Sequence, residues 1–163
     1  MPITPFHFGP GVLLHSAAPR RVSFIAFVAA NGITDIESIY NVLAGNFPVH
    51  RFLHTFVGAV VVTGLTVALF LATRRLARTV SMPDWFEWQQ LSLVAVVAGA
   101  ALGAFSHILL DGIMHADMHP FAPWSAANPF FRVVSLSTLH WACIISGIAG
   151  VLLCLKTKPS LLK

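Results

Sequence analysis

The sequence predicts an all-α fold, an integral membrane helical bundle of about four to five helices, and two observations carry this prediction. The 163 residues are 56% hydrophobic and only 10% charged, whereas about a quarter of the residues in an average soluble domain are charged. Three apolar stretches, 52–73, 91–110 and 133–155, are also long enough to cross a bilayer. A soluble helical protein is the alternative, and three such stretches in so short a chain argue against it. We therefore expect a single membrane-embedded helical domain over residues 1–163.

Prolines divide the apolar pattern into five segments. The predicted helices cover 7–18, 21–45, 49–75, 85–116 and 134–156, separated by Pro19, Pro48, Pro83 and the stretch 120–123. The first segment is short, because about twelve residues of helix span only ~18 Å. It is therefore either a short crossing or a re-entrant piece.

Positive charges predict the orientation of these segments. They cluster after the first, third and fifth segments, at Arg20–Arg21, Arg74–Arg75–Arg78 and Lys156–Lys158–Lys163. Because cytoplasmic loops are enriched in Lys and Arg, we expect a multi-pass protein of the cell (inner) membrane with its N-terminus outside and its C-terminus in the cytoplasm. The net charge of +4 then reports topology, and no nucleic-acid partner is predicted.

This orientation brings most of the histidines and acids to one layer near the outer ends of the segments. The layer would contain Asp35 and Glu37 of the second segment, His50 and His54 of the third, His107, Asp111 and His115 of the fourth, and His7. Ionisable groups in a membrane are costly, about 2.5–3.5 kcal/mol for an aspartate at a helix centre, and so indicate function by default. A metal site near the outer ends would explain why they are present.

Two pairs in this layer have the spacing of a chelating site. His50 and His54 are four residues apart, as are His107 and Asp111, so on helices each pair would project from one face. Histidine nitrogen combined with carboxylate oxygen suits a divalent transition metal, zinc first, with manganese or iron as alternatives. Asp35 and Glu37 would complete the shell from the neighbouring helix.

The remaining candidates have simpler interpretations beside the functional one. Any single histidine in a membrane helix can serve as a hydrogen-bond partner between helices. His115 continues the His107–Asp111 stripe and is a secondary metal candidate. Asp117 is another, although Asp117 and His119 lie past the helix, where an ordinary loop role is the simpler interpretation. We interpret His140 as a hydrogen-bonding residue of the outer layer and His15 as structural.

The polar residues lie in the outer halves of the predicted segments, and this distribution helps to distinguish a transporter from an enzyme or a binding protein. A transporter or proton channel needs a polar route through the whole bilayer, but 58–73 offers only threonine and 91–105 offers only Ser92. Metal or proton transport is therefore disfavoured. An enzyme and a non-catalytic metal-binding protein, either a sensor or a structural element, both remain.

Four motifs together resemble a known family. "MPITPFHF" at the start, "TDIES" at 34–38, "HRFLHT" at 50–55 and "SHILLDGIMHADMHPF" at 106–121 resemble the predicted membrane-bound metal-dependent hydrolases, small bacterial and archaeal inner-membrane proteins. The resemblance covers most of the chain with the motifs in order. It implies a metal-site set of His7, Asp35, His50, His54, His107 and Asp111. A more distant similarity, to zinc-dependent phospholipases C, bears only on the reaction class.

The chain departs from the family pattern at several positions. That pattern has Pro-Asp-x-Asp, then His-Arg-Gly-x-Thr-His-Ser, then Ser-His-x-x-x-Asp. Here Thr34 replaces the proline, Glu37 the second aspartate and Phe52 the glycine, and the two histidines are one residue closer together. Each change keeps the type of ligand, while the lost glycine alters the local geometry of the His50–His54 pair.

These observations predict a membrane-bound hydrolase that uses a metal-activated water at the outer membrane boundary. Glu37 is the expected general base, because it is the acid without an obvious helical ligand partner. The position of the site suggests a small-molecule or lipid substrate, such as a lipid-linked phosphoester or ester, reached from the surrounding membrane lipids.

Overall fold

The computed structural model describes residues 5–157, and all regular secondary structure in this range is helical. The five α-helices are α1 (Phe8–Ala17), α2 (Phe24–Leu43), α3 (Phe56–Thr79), α4 (Leu93–Met114) and α5 (Leu136–Thr157). Three short 3-10 helices cover Pro5–His7, Phe52–His54 and Trp85–Gln90. The all-α prediction is confirmed.

Three of these helices, α3, α4 and α5, are long and apolar enough to cross a membrane. They correspond to the three predicted spans, with ends displaced by a few residues. Helix α1 has only ten residues and is too short to cross a typical hydrocarbon core of about 30 Å as a straight helix. The chain is thus consistent with a membrane protein that has three candidate spans among the described residues.

Two predicted helix starts are wrong. Helix α3 begins at Phe56 and not at 49, because the hydroxyl of Thr55 caps it by accepting a hydrogen bond of 2.9 Å from the backbone N–H of Gly58. Helix α4 begins at Leu93 and not at 85, where Ser92 caps it in the same way. Such side-chain caps satisfy N–H groups that lack a partner within the helix. Residues 44–55 are consequently a structured connection and not the start of a helix.

Helix α4 packs between α2 and α3, and α1 packs along α5. Helices α2 and α4 run in the same direction, since Ser23 contacts Ala95 near both starts and Asn31 contacts His107 further along both helices. Helix α3 runs the opposite way, with Arg74 near its end donating to the Leu91 carbonyl just before α4. The end of α2, the start of α3 and the end of α4 therefore meet at one end of the bundle.

Two glycines of α4 allow α2 to approach closely. A Cβ atom at Gly99 would overlap the carbonyl oxygen of Ser23, and one at Gly103 would overlap that of Phe27. Small residues four apart are a common means of close helix packing in membranes. This close contact sets the position of α2, which carries Asp35, relative to α4, which carries Asp111.

The surface of the bundle is strongly apolar where lipid would contact it. Helix α5 exposes Ile145, Ile148 and Leu152, and α3 exposes Val60 and Leu69. The basic residues of 20–21 and 74–78 lie at the opposite end from Asp111, while Lys158 and Lys163 fall outside the described residues. The side chains therefore divide into an apolar belt, a basic end and a histidine-rich end.

Candidate metal centre

Two groups of potential metal ligands meet at the histidine-rich end, and both include Asp111. The four-residue group is Asp35, His54, His107 and Asp111, whose side chains are all buried. The three-residue group is His50, Asp111 and His115. Within each group every residue offers one ligand atom, and these atoms all lie within 4.8 Å of one another. Side chains that are remote in sequence thus form a cluster that could hold a metal ion.

The carboxylate of Asp111 lies at the centre of five histidines. Its Oδ2 is 3.2 Å from Nε2 of His107, 3.8 Å from Nε2 of His54 and 4.0 Å from Nε2 of His50. Its Oδ1 is 3.1 Å from Nε2 of His7 and 3.9 Å from Nε2 of His115. The predicted convergence of one layer of histidines is observed around a single side chain.

Helix α4 carries two ligands of the four-residue group and ends at a ligand of the three-residue group. His107 and Asp111 are one turn apart on α4, as their spacing predicts, and both are buried. His115 is the C-terminal cap residue of the same helix. Asp35, on the parallel helix α2, places an oxygen 3.5 Å from Nε2 of His107. Two helices therefore supply most of the four-residue group.

His50 and His54 reach the cluster in a different way from the one predicted. They do not lie on one face of an α-helix, because the chain bends at 47–50 and forms a 3-10 helix at Phe52–His54 before α3 begins. Their ring centroids are nevertheless only 4.7 Å apart. Both side chains are buried, so the connection between α2 and α3 delivers them to the same site as a pair on one helix would.

Glu37 holds this connection in place. Its Oε2 accepts hydrogen bonds from the backbone N–H groups of Leu53, at 2.8 Å, and Arg51, at 3.2 Å. The same oxygen lies 3.5 Å from Nδ1 of His54. Glu37 thus touches the segment that carries a candidate ligand.

Asp117 has a similar role for His50. Its Oδ2 accepts from the backbone N–H groups of Val49, at 2.9 Å, and His50, at 3.2 Å. Both oxygens also lie 3.0 Å from Nδ1 of His50. The structure therefore places Asp117 behind a histidine, outside both ligand groups.

The hydrogen bonds of Nδ1 fix which nitrogen faces the cluster. Asn31 donates from its amide nitrogen to the Phe27 carbonyl, so its side-chain oxygen accepts from Nδ1 of His107 at 2.9 Å. Nδ1 of His50 likewise faces the carboxylate of Asp117. A histidine that donates from Nδ1 presents the lone pair of Nε2, which is the usual arrangement around a protein-bound metal.

The Nε2 atoms show that the residues fit a cation. Among the described residues, Nε2 of His50, His54 and His107 are buried without a hydrogen-bond partner, although buried polar atoms are normally satisfied. If these rings were protonated and paired with Asp111, their N–H groups would donate to its oxygens. The geometry lacks such bonds even at the 3.2 Å separation from His107. Nε2 lone pairs that converge in this way could hold a metal ion.

The ionisable groups outside the α-helices have protonation states that suit metal binding. Burial lowers the pKa of His54 more than the adjacent Glu37 raises it. Burial also lowers the pKa of His115 to about 4. Burial alone would raise the pKa of Asp117, but hydrogen bonds from His50 and Val49 bring it below its usual value. At neutral pH the two histidines are therefore neutral, as ligands must be, and Asp117 is ionised.

The other sequence candidates lie around the cluster or away from it. His7 contacts Asp111 but belongs to neither ligand group. His140 stacks on Phe6 with ring centroids 4.3 Å apart, and His119 bonds to the Ala126 carbonyl in an exposed loop. His15 bonds to the Val22 carbonyl, in agreement with a structural role.

Two asparagines that support the site were missed in the sequence. Asn31 orients His107, and Asn41 donates a 2.9 Å hydrogen bond to the Val49 carbonyl beside His50. A signal was present, because the polar residues of α2 recur at helical spacing in an otherwise apolar segment. They are Asn31, Thr34, Asp35, Ser38 and Asn41, all buried. Such a stripe marks the face of a helix that is turned towards a polar site.

Comparison with known proteins adds no family assignment. No protein-family model matches the chain, and neither the curated proteins nor the solved structures include one with significant similarity.

Proposed function

We propose that this protein is a membrane-bound metal-dependent hydrolase, as its resemblance to the predicted hydrolase family implies. The observation that carries the proposal is the set of buried, unpartnered Nε2 atoms directed at the Asp111 carboxylate. Ligands for a cation are brought together from α2, α4 and the connection between α2 and α3. A metal ion bound by these ligands could activate a water molecule for hydrolysis.

The donor set favours zinc among the divalent ions. The four-residue group offers two imidazole nitrogens and two carboxylate oxygens. Zinc accepts four such ligands in a tetrahedral arrangement, whereas magnesium and calcium prefer oxygen alone. Manganese and iron accept the same donors and are the alternatives.

In a hydrolase of this kind, the ion and the protein side chains have different roles. When bound, a divalent ion supplies Lewis acidity that activates water and polarises an ester or phosphoester oxygen. Hydrolysis adds the OH of water to the acyl carbon or phosphorus, and the remaining proton leaves with the alcohol. The protein's contribution is to fix neutral imidazoles with Nε2 inward, through Asn31 and Asp117, and to keep the carboxylates of Asp35 and Asp111 away from bulk water.

Glu37 is better suited to positioning than to the general-base role that the sequence predicted. Its Oε2 already accepts two backbone hydrogen bonds and lies next to His54. We propose that it orients His54 and the 51–53 segment. The general-base role stays a prediction that a substitution at Glu37 can test.

A lipid or lipid-linked ester is the substrate class that the surroundings favour. An apolar groove of about 450 Å³ runs between α1 and α5, lined by Phe6, Gly9, Ile144, Gly147 and Val151 among others. Phe6 is adjacent in sequence to His7, which contacts Asp111. An acyl chain in this groove would bring its polar headgroup close to the cluster.

We further propose that the cluster faces the outside of the cell's inner membrane. Arg20, Arg21, Arg74, Arg75 and Arg78 lie at the opposite end of the bundle, and basic residues prefer the cytoplasmic side. A topology reporter fused after Lys163 should therefore read as cytoplasmic. An extracytoplasmic reading would overturn this orientation.

A non-catalytic metal-binding protein is the second candidate, and one observation favours it. His54 and His107 are fully buried, and Asp35 and Asp111 are 4% and 3% exposed. Structural zinc sites are closed by four protein ligands, whereas catalytic sites keep a position open. An ion confined to the four-residue group would hold the helices together without reaching a substrate.

Hydrolysis by detergent-purified protein tests the proposal. We expect turnover of lipid phosphoesters or esters that is abolished by a chelator, restored by zinc or manganese, and absent in His54→Ala. His119→Ala is the matched control, because His119 lies at the same end of the bundle outside both groups. Bound metal without turnover of any phosphoester, ester or amide would instead support the non-catalytic role.

A further inference from the structure

We infer that the cluster is a two-ion centre in which Asp111 bridges one ion in the four-residue group and a second ion in the three-residue group. The inference rests on the proposed metal-dependent function and extends it by a second site. It follows from the ligand count, the orientation of His50 and the exposure of His115.

One ion leaves part of the cluster unexplained. An ion bound by Asp35, His54, His107 and Asp111 has the four ligands that zinc requires. Nε2 of His50 would still be buried without a hydrogen-bond partner among the described residues, in a residue only 4% exposed. The carboxylate of Asp111 is too far away to satisfy this atom, because its nearest oxygen is 4.0 Å distant. A second cation next to His50 would satisfy it.

The two oxygens of Asp111 are placed for a bridge. Oδ2 lies beside His54 and His107 of the four-residue group, while Oδ1 lies 3.9 Å from Nε2 of His115. The His115 ring packs against the His50 ring with centroids 4.3 Å apart. One carboxylate therefore lies between the two ligand groups, with Oδ1 shared between His115 and His7, whose Nε2 is 3.1 Å away. A carboxylate in such a position can link paired metal ions.

The second group has its own supporting contacts. Nδ1 of His50 faces Asp117 at 3.0 Å, just as Nδ1 of His107 faces Asn31. The Asn128 amide donates to the carbonyls of Gly112 and His115, at 2.9 and 3.1 Å, and so fixes the end of α4. Outer hydrogen bonds of this kind orient metal ligands and raise their affinity. Their presence at both groups argues that both are built to bind.

The two ions would differ in access. The four-residue group is closed, whereas the three-residue group has three protein ligands and includes His115, whose side chain is 20% exposed. A site with three protein ligands keeps a coordination position free for water or substrate. We therefore assign a structural and charge-balancing role to the ion in the four-residue group. The ion in the three-residue group would bind the substrate.

Titration of chelator-treated protein with Zn²⁺ in detergent tests the two-ion centre. Calorimetry should give two equivalents per chain for the wild type. His115→Ala should lose one equivalent and keep the other, and His54→Ala should also lose one. Asp111→Ala should reduce the affinity of both sites by at least tenfold. His119→Ala should bind like the wild type, and circular dichroism should show the same helix content in every variant.

The outcomes separate this inference from the proposed function. One equivalent in the wild type that is unchanged in His115→Ala would overturn the second site, while leaving a single-ion hydrolase in place. Two equivalents with no hydrolysis would support the two-ion centre and reject the hydrolase. No binding by folded wild-type protein would reject both. If Asp111→Ala does not fold, loss of one equivalent in His115→Ala still decides the question.

Discussion

Nδ1 of His107 donates a 2.9 Å hydrogen bond to the side-chain oxygen of Asn31, and this bond turns Nε2 of His107 towards Asp111. Asn31 lies on α2 and His107 on α4, so the contact also ties the two parallel helices together at the depth of the cluster. The orientation of a ligand and the packing of the bundle therefore depend on the same pair of residues.

Removing the Asn31 oxygen should weaken metal binding. Asn31→Leu keeps a similar volume but takes away the acceptor for His107, and loss of such an outer partner typically lowers metal affinity about 10–100-fold. Asn31→Asp keeps an oxygen in place and should retain most of the affinity. Zn²⁺ titration of both variants measures the difference. Equal affinities for the two variants would show that Asn31 does not orient the ligand.

Substitutions at Glu37 should distinguish its two proposed roles. As a positioning residue, Glu37 needs only an acceptor for the N–H groups of Arg51 and Leu53. Glu37→Gln should then retain metal affinity and turnover, whereas Glu37→Ala should lose about 10–100-fold in affinity.

The general-base role predicts a different result for the same conservative change. Glu37→Gln would bind metal normally, yet its turnover would fall by about 100-fold or more, and the acidic limb of its pH–rate profile would disappear. Measuring metal affinity and pH–rate profiles of both variants separates the two roles.

The close approach of α2 and α4 should make Gly103 intolerant of a side chain. A Cβ at this position meets the backbone carbonyl of Phe27, which has no room to move aside. Overpacking of this kind typically costs about 1–3 kcal/mol, so Gly103→Ala should melt at a lower temperature in detergent. Gly64→Ala on α3 is the matched control, because its Cβ would meet no atom within 4 Å. Equal melting temperatures would mean that α2 does not pack on α4 as described.

Metal removal should destabilise the bundle. An ion present at 100 times its dissociation constant stabilises a folded protein by about 2.7 kcal/mol, which for a chain of this size corresponds to roughly 5–10 °C in melting temperature. Chelation should lower the wild-type melting temperature by this amount, and added Zn²⁺ should restore it. Chelation should lower the melting temperature of Asp111→Ala by less than it lowers that of the wild type, because the variant binds the ion more weakly. A chelator effect of equal size in Asp111→Ala would place the stabilising ion elsewhere.

The sequence predicts the helices and their meeting point well, because both depend on simple patterns. Apolar runs of about 20 residues identify α3, α4 and α5, and the i,i+4 spacing of His107 and Asp111 places both on one face of α4. The alternation of helix direction was enough to bring Asp35, His54 and Asp111 to one end. These features follow from helix periodicity and from the length that a bilayer requires.

The connection between α2 and α3 could not be predicted in the same way. The spacing of His50 and His54 suggests a helix, but Glu37 and Asp117 bind the backbone of residues 49–53 and hold a turn instead. These contacts join residues up to 68 positions apart, which local propensity does not report. The contact of Asp117 with His50 could not be predicted from the sequence for the same reason.

Elemental analysis of the detergent-purified protein shows whether a metal centre forms around Asp111. We expect stoichiometric zinc, manganese or iron in the folded wild type, and loss of this metal in Asp111→Ala protein of unchanged helix content. Folded wild-type protein without transition metal, purified in the absence of chelators and unable to take up added Zn²⁺, would contradict this expectation.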